Sequence, residues 1–146
     1  MSYFLRSCGL VSPPRHKDES RGDPAPDDGV TTRVYTGTML NPGDEARHLL
    51  FTLPSHTGSV VELRILAQDL NSNTSWVYHG SKTYWSRSWS LAPSKTDLGI
   101  PTMAGTDSFI VTQVAEGNDI VVKLRYAGGI STNIAYKIIS KVLSVR

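Results

Sequence analysis

Four histidines, His16, His48, His56 and His79, and one cysteine, Cys8, are the side chains of this 146-residue chain that a transition metal would use first. No His-x-x-x-His or Cys-x-x-Cys spacing occurs among them, so no metal site is expected and the histidines read as surface or turn residues. Nucleophilic catalysis would need an activated hydroxyl or thiol. The serines form no Gly-x-Ser-x-Gly elbow, and Cys8 has no fixed base beside it. Glu62, Asp69, Asp97, Asp107, Glu116 and Asp119 are the carboxylates from which a glycosidase pair would be drawn, yet most stand in or beside turns, where acidic residues serve the backbone. Gly128-Gly129 joins two strand-like runs and feeds no helix, which excludes a phosphate loop or dinucleotide fingerprint. The expectation is a chain without catalytic residues, metal or cofactor.

Recognition chemistry is better represented. The segment Trp76 to Trp89 holds all three tryptophans and two of the six tyrosines. Aromatic rings supply rigid contact area with a polar handle, useful against sugars, proteins or stacked bases. Trp76, Tyr78, His79, Tyr84, Trp85 and Trp89 are therefore the candidate ligand- or partner-binding residues, with Asn71 and Asn73 as further hydrogen-bond donors. With His79-Gly80-Ser81-Lys82 as a turn, the segment is expected to be a β-hairpin. Alternation then puts Trp85, Arg87 and Trp89 on one face and Tyr84, Ser86 and Ser88 on the other. Trp85 and Trp89 are expected to act together as core or interface, leaving Trp76, Tyr78 and Tyr84 to look elsewhere.

The elements that must position this segment are short and β-like. Val30 to Leu40 is rich in threonine and β-branched residues and stops at Asn41-Pro42-Gly43-Asp44. His48 to Leu53 makes a second strand closed by Pro54. In a third, Val61, Leu63, Ile65 and Ala67 alternate with Glu62 and Arg64. After the aromatic hairpin, residues 91 to 107 read as a long loop with Pro93, Gly99, Pro101 and Gly105, the place for a functional loop. Phe109 to Val114, Asp119 to Tyr126 and Asn133 to Val145 complete eight strands. Asp44 to Leu50, the stretch most able to be helical, is too short to change the class. Eight turn-separated strands predict an all-β, antiparallel β-sandwich, an eight-stranded jelly roll, with an open barrel as the competing architecture.

Ahead of residue 30 the composition differs. Ser12 to Gly29 carries no side chain larger than alanine or proline that is aliphatic or aromatic, so it cannot offset its own ordering entropy. Residues 1–29 are expected to form a flexible N-terminal arm tipped by Tyr3, Phe4, Leu5, Leu10 and Val11, with the β-sandwich domain over 30–146. A single cysteine excludes the disulfide-rich secreted class. Arg6 splits the first apolar run, so no signal peptide is read, and no run reaches membrane-spanning length. The net charge of +2 argues for no nucleic-acid and no membrane partner. Arg21-Gly22-Asp23 resembles the integrin-binding tripeptide of adhesive proteins, though so short a word arises readily in a charge-rich segment.

Leu49-Leu50-Phe51-Thr52-Leu53-Pro54-Ser55 leading into Val60 to Ala67, and the last strand Thr132-Asn133-Ile134-Ala135-Tyr136-Lys137-Ile138-Ile139, resemble virion surface proteins of tailed phages. The group comprises head-decoration, head-fibre and tail-fibre receptor-binding β domains. The resemblance implies a non-enzymatic structural or attachment protein, located in the virion after synthesis in the host cytoplasm. It implies other virion proteins as partners, a homo-oligomer with a trimer favoured, and a host glycan as ligand. The alternatives are a carbohydrate-binding module using exposed aromatics, and a small hydrolase with residues 91 to 107 as lid and Asp97 or Asp107 as base.

Overall fold

A computed structural model describes residues 29–80, 82–105 and 108–145. The expected flexible arm, its apolar tip, Cys8, His16 and the Arg21-Gly22-Asp23 tripeptide lie outside these residues. So does Asp107. Ten strands and no helix occur among the described residues. They are β1 (Gly29–Met39), β2 (Glu45–Thr52), β3 (Thr57–Asp69), β4 (Ser75–His79), β5 (Thr83–Arg87), β6 (Ser94–Asp97), β7 (Thr102–Gly105), β8 (Phe109–Glu116), β9 (Asp119–Tyr126) and β10 (Ile134–Val145).

All pairings are antiparallel, and the strands divide into two sheets. The small sheet has the order β2-β9-β8; the large one runs β1-β10-β3, after which β3 is flanked by β4 over one half of its length and by β5 over the other. β7 covers β4 and β6 covers β5. The expected antiparallel sandwich is thus present, but with ten described strands divided seven and three in place of an eight-stranded jelly roll.

The aromatic segment departs from its expected form. β4 and β5 do not pair with each other; both lie along β3, Gln68 opposite Ser75 and Arg64 opposite His79, then Val61 opposite Thr83 and Thr57 opposite Arg87. The register sum rises by one between the two halves. Along β3 they act as one strand whose register shifts by one residue between Arg64 and Val61, an irregularity of the β-bulge kind, which re-aims the half beyond it. Gly80 still donates to the Leu63 carbonyl at 2.8 Å, so the ladder holds up to the insertion. β6 and β7 repeat the break one strand further out, where Leu98 donates to the Lys82 carbonyl at 2.8 Å. The expected loop over residues 91 to 107 therefore contains two four-residue edge strands. Being exposed at every residue, they carry none of the alternation by which strands are read.

The core lies between the sheets. Val61, Leu63, Ile65 and Ala67 of β3 and Ile134, Ile138 and Val142 of β10 meet Leu50 and Phe51 of β2 and Ile120, Val122 and Leu124 of β9. Each valine, leucine, isoleucine or phenylalanine among them contributes about 1.5–3 kcal/mol on full burial. Glu45, Ala46 and Arg47, outside the expected second strand and inside the stretch with helical potential, pair with Arg125, Leu124 and Lys123. Tertiary pairing outweighs local preference there. Two side chains of β1 cross to the open edge of β2: Arg33 Nη1 donates to the Leu50 carbonyl at 2.6 Å and Tyr35 Oη to the Leu49 carbonyl at 2.8 Å.

Candidate binding cleft

The bulge has a direct effect on the tryptophans. Before it, the even-numbered Trp76 and Tyr78 face the core; after it, the odd-numbered Thr83 and Trp85 do. An unbroken strand would have sent Trp76 and Trp85 to opposite faces. Both are instead buried, at 4% and 3% exposure, while Trp89 is 72% exposed. The expected division of the tryptophans is corrected accordingly. β5 ends at Arg87, and Trp89 sits in the following turn with a φ of 53°, so alternation no longer governs it.

Trp76 belongs to a ladder of rings. Tyr78 stacks on it at a centroid distance of 5.8 Å, Phe109 lies 4.9 Å from it on another side, and Tyr126 follows at 5.3 Å from Phe109. Trp85 is held by Gln113, whose Oε1 accepts from the indole Nε1 at 3.0 Å while its Nε2 donates to the Thr83 hydroxyl at 3.2 Å. These contacts fix the lip of the sandwich where β5 and β6 face β8.

At that lip a cleft of about 180 Å³ opens, lined by Tyr78, Thr83, Lys95, Asp97, Gly99, Pro101, Val111, Thr112 and Gln113. A cavity of about 150 Å³ takes a benzene-sized guest, so this one has room for a single six-membered ring. Tyr78 forms its aromatic wall. The ring lies across Gly80, where a Cβ would stand 2.7 Å from the tyrosine Cε1, so the glycine at the bulge allows that pose. Burial, reinforced by the Asp97 charge, holds the Tyr78 phenol above its ordinary pKa, keeping it a neutral donor. Across from it, Lys95 Nζ and Asp97 Oδ1 stand 3.9 Å apart on exposed side chains. A cation, a carboxylate, a phenol and a threonine hydroxyl thus belong to residues lining one cleft.

The other candidate residues lie elsewhere. His79 is on the outer face of the large sheet, 3.6 Å from Glu62. Tyr84 is also on that face, its ring over Gly58. Trp89 makes an edge contact with His56 at 4.8 Å, and His56 too has a positive φ, of 61°. Asn71 is engaged with Thr132 at 3.3 Å. Of the six aromatic and histidine candidates only Tyr78 lines the cleft. Lys95, Gly99, Pro101 and Asp97 come from the segment expected to be a functional loop, whereas Thr83, Thr112 and Gln113 had no sequence signal beyond being polar residues in strands. No group of three or more His, Cys, Asp or Glu side chains able to hold a metal occurs among the described residues. Asp97 is the one carboxylate among the described residues lining the cleft, where glycoside hydrolysis uses two.

No family model matches the chain, and no curated protein is similar to it. Among solved structures it is similar to a tailspike protein, gp49, from Acinetobacter baumannii bacteriophage Fri1, described as a capsular polysaccharide depolymerase. The identity is 12% and the TM-score 0.35; the match covers 97% of this chain and 24% of that one, so the chain spans about a quarter of the tailspike's length. This finding runs against the expectation of a chain that is not an enzyme, since a solved structure it is similar to is described as a depolymerase. At that score the likeness carries no activity over to this chain.

Proposed function

We propose that the protein is an attachment-type β-sandwich module of a tailed-phage virion that binds one sugar unit of a surface glycan in the cleft between β6 and β8. One observation carries this reading: Tyr78, backed by Trp76, shares with Lys95 and Asp97 the lining of a space sized for a single ring. Pyranose rings offer an apolar face for stacking and hydroxyls that both donate and accept, and the cleft has a partner for each. The phage assignment draws on the resemblance of the Leu49–Ser55 and Thr132–Ile139 stretches.

Binding of a panel of bacterial surface polysaccharides and their fragments, by glycan array and calorimetry, tests it. Lys95→Ala and Asp97→Ala alter exposed side chains, so the fold should persist. A hydrogen bond to a charged group is worth about 1.5–3 kcal/mol, so each substitution should weaken binding by about tenfold or more. A glycan bound equally well by the wild type and both variants, or none bound, would overturn the assignment. Product release from any bound polysaccharide should be followed in the same samples.

A further inference from the structure

Among the described residues the large sheet ends in two unlike edges. One is β6 and β7, four residues each, interrupted between them, with Pro93 and Pro101 nearby, Gly105 at a φ of 126° and the charged Lys95 and Asp97. These are the usual devices that stop a further strand from adding. The other edge is β1, eleven residues in unbroken register with β10 from Gly29 to Met39. Along it there is no proline, no bulge and no charge except Arg33, whose guanidinium is turned inward to the Leu50 carbonyl.

Charges on the outer face are placed the opposite way from what an open edge calls for. Outward-facing Lys137 and Lys141 are on β10, and Glu62 and Arg64 on β3, both interior strands, while β1 shows Val30, Thr32, Val34, Thr36 and Thr38. Val30 is 57% exposed and Val34 46%, and beside them on β10 stand Leu143 at 52% and Ile139 at 37%. A long, uncharged, β-branched edge next to an apolar strip is a template for strand addition.

We infer that β1 pairs antiparallel with β1 of a second copy, joining the two large sheets into one across a two-fold axis. The unlike edges select this partner. A head-to-tail contact would need β1 to match the β6/β7 edge, which is too short and broken for eleven-residue pairing, so an open fibre of sheets is blocked and the isologous pair is the arrangement that closes. Self-pairing also opposes no like charges, because the lysines of each copy stay one strand back from the junction. At the small sheet, the β2 edge is occupied and marked: it has Arg33 and Tyr35 on its carbonyls, a register shift opposite Ile120 and Val121, and charges at Glu45 and Arg47.

Light scattering and sedimentation of the full chain across micromolar concentrations should give a dimer dissociating on dilution, with backbone amides of β1 protected from hydrogen exchange only where the dimer is populated. Val34→Lys and, independently, Thr36→Lys place an ammonium on the outward face at the junction. Each should weaken dimerisation at least tenfold while leaving the melting of the dilute monomer unchanged, and two positions guard against one variant misfolding. Three results would overturn the inference. These are a monomer at every concentration, including one whose β1 amides are protected because residues 1–28 cover them; a trimer, which a two-fold edge pair cannot make; or a dimer indifferent to both lysines.

Discussion

Replacing Trp85 and Trp89 separately tests whether the bulge, and not simple alternation, decides which rings are core. Trp85 is buried to 3% exposure, and its indole is the donor to Gln113 Oε1 at 3.0 Å. Trp85→Ala removes a whole ring from a packed interior, which costs about 3–5 kcal/mol, and leaves the Gln113 carbonyl without its donor. At roughly 3–4 °C of melting temperature per kcal/mol for a chain of this size, the loss corresponds to a fall of about 10 °C or more. Trp89→Ala deletes a ring that is 72% exposed and touches His56, so stability should change by no more than about 0.5 kcal/mol, a degree or two. Urea unfolding followed by circular dichroism gives both numbers. Tryptophan fluorescence supplies a second readout, because loss of Trp89 should remove the red-shifted, acrylamide-quenchable part of the emission. Equal destabilisation by the two substitutions, or emission from Trp85 as accessible to quencher as that from Trp89, would refute the parity change at residues 80–82.

A glycine at the outer edge gives a second test: Gly105 has a φ of 126°, and a Cβ there would stand 2.2 Å from the Ser75 carbonyl oxygen and 2.6 Å from Trp76 Cα. Those are backbone atoms that cannot rotate away, so Gly105→Ala should cost more than about 2 kcal/mol, against about 1 kcal/mol for Gly117→Ala, which meets only open space; equal melting temperatures for the two would count against the β4–β7 pairing. Acid should act in two stages. Burial lowers the His48 pKa below its ordinary 6.5, so the unfolded chain takes up the proton first and stability declines as pH falls through that value, levelling off below the folded pKa. The carboxyls of Asp44 (held down by the backbone N–H groups of Asn41 and Leu40), Asp69 (by the Thr132 hydroxyl and the Asn71 N–H) and Glu116 (by Arg47) are also lowered. Their contribution is present above about pH 4 and lost as pH falls further, through the folded values. Urea midpoints from pH 8 to pH 3 should show both declines, and His48→Gln should abolish the upper one alone.

Alternation is readable wherever a strand has one buried and one open face, as in Thr57–Asp69 and Ile134–Val145, and there the expected and observed elements agree closely. It is unreadable in Ser94–Asp97 and Thr102–Gly105, because edge residues exposed throughout give no period to detect. The residues at 79–82 mislead for a different reason. Glycine, serine and lysine between two aromatic runs suit a two-residue turn as well as they suit an insertion within a strand, and the partner available separates the two. β3 is thirteen residues long, enough to receive both halves end to end, and that length is a property of Thr57–Asp69, not of the aromatic segment. Within the candidate cleft, Tyr78 and the 91–107 segment are legible from sequence, while Thr83 and Gln113 depend on a long-range meeting of β5 with β8 that no local pattern encodes.

The break in the sheet also accounts for where the cleft lies. Two adjacent strands are interrupted at the same level, at 80–82 and at 98–101, so neither can patch the other with a continuous ladder. Residues from both sides of the break, Tyr78 before it and Thr83 after it, line the same space. On the opposite face the same interruption leaves a second depression of about 290 Å³ lined by Glu62, His79, Gly80, Lys82, Leu98, Ile100 and Thr102. The two hollows share their cause, and a deletion of one residue at 80–82 that regularised the strand would shift both together. Trp85 would stay opposite Ser59 and facing the core, because the deletion restores to it the parity of Trp76. The inserted residue is therefore what shapes the hollows, while the inward placement of both Trp76 and Trp85 would survive its removal, so the cleft can be altered without emptying the core.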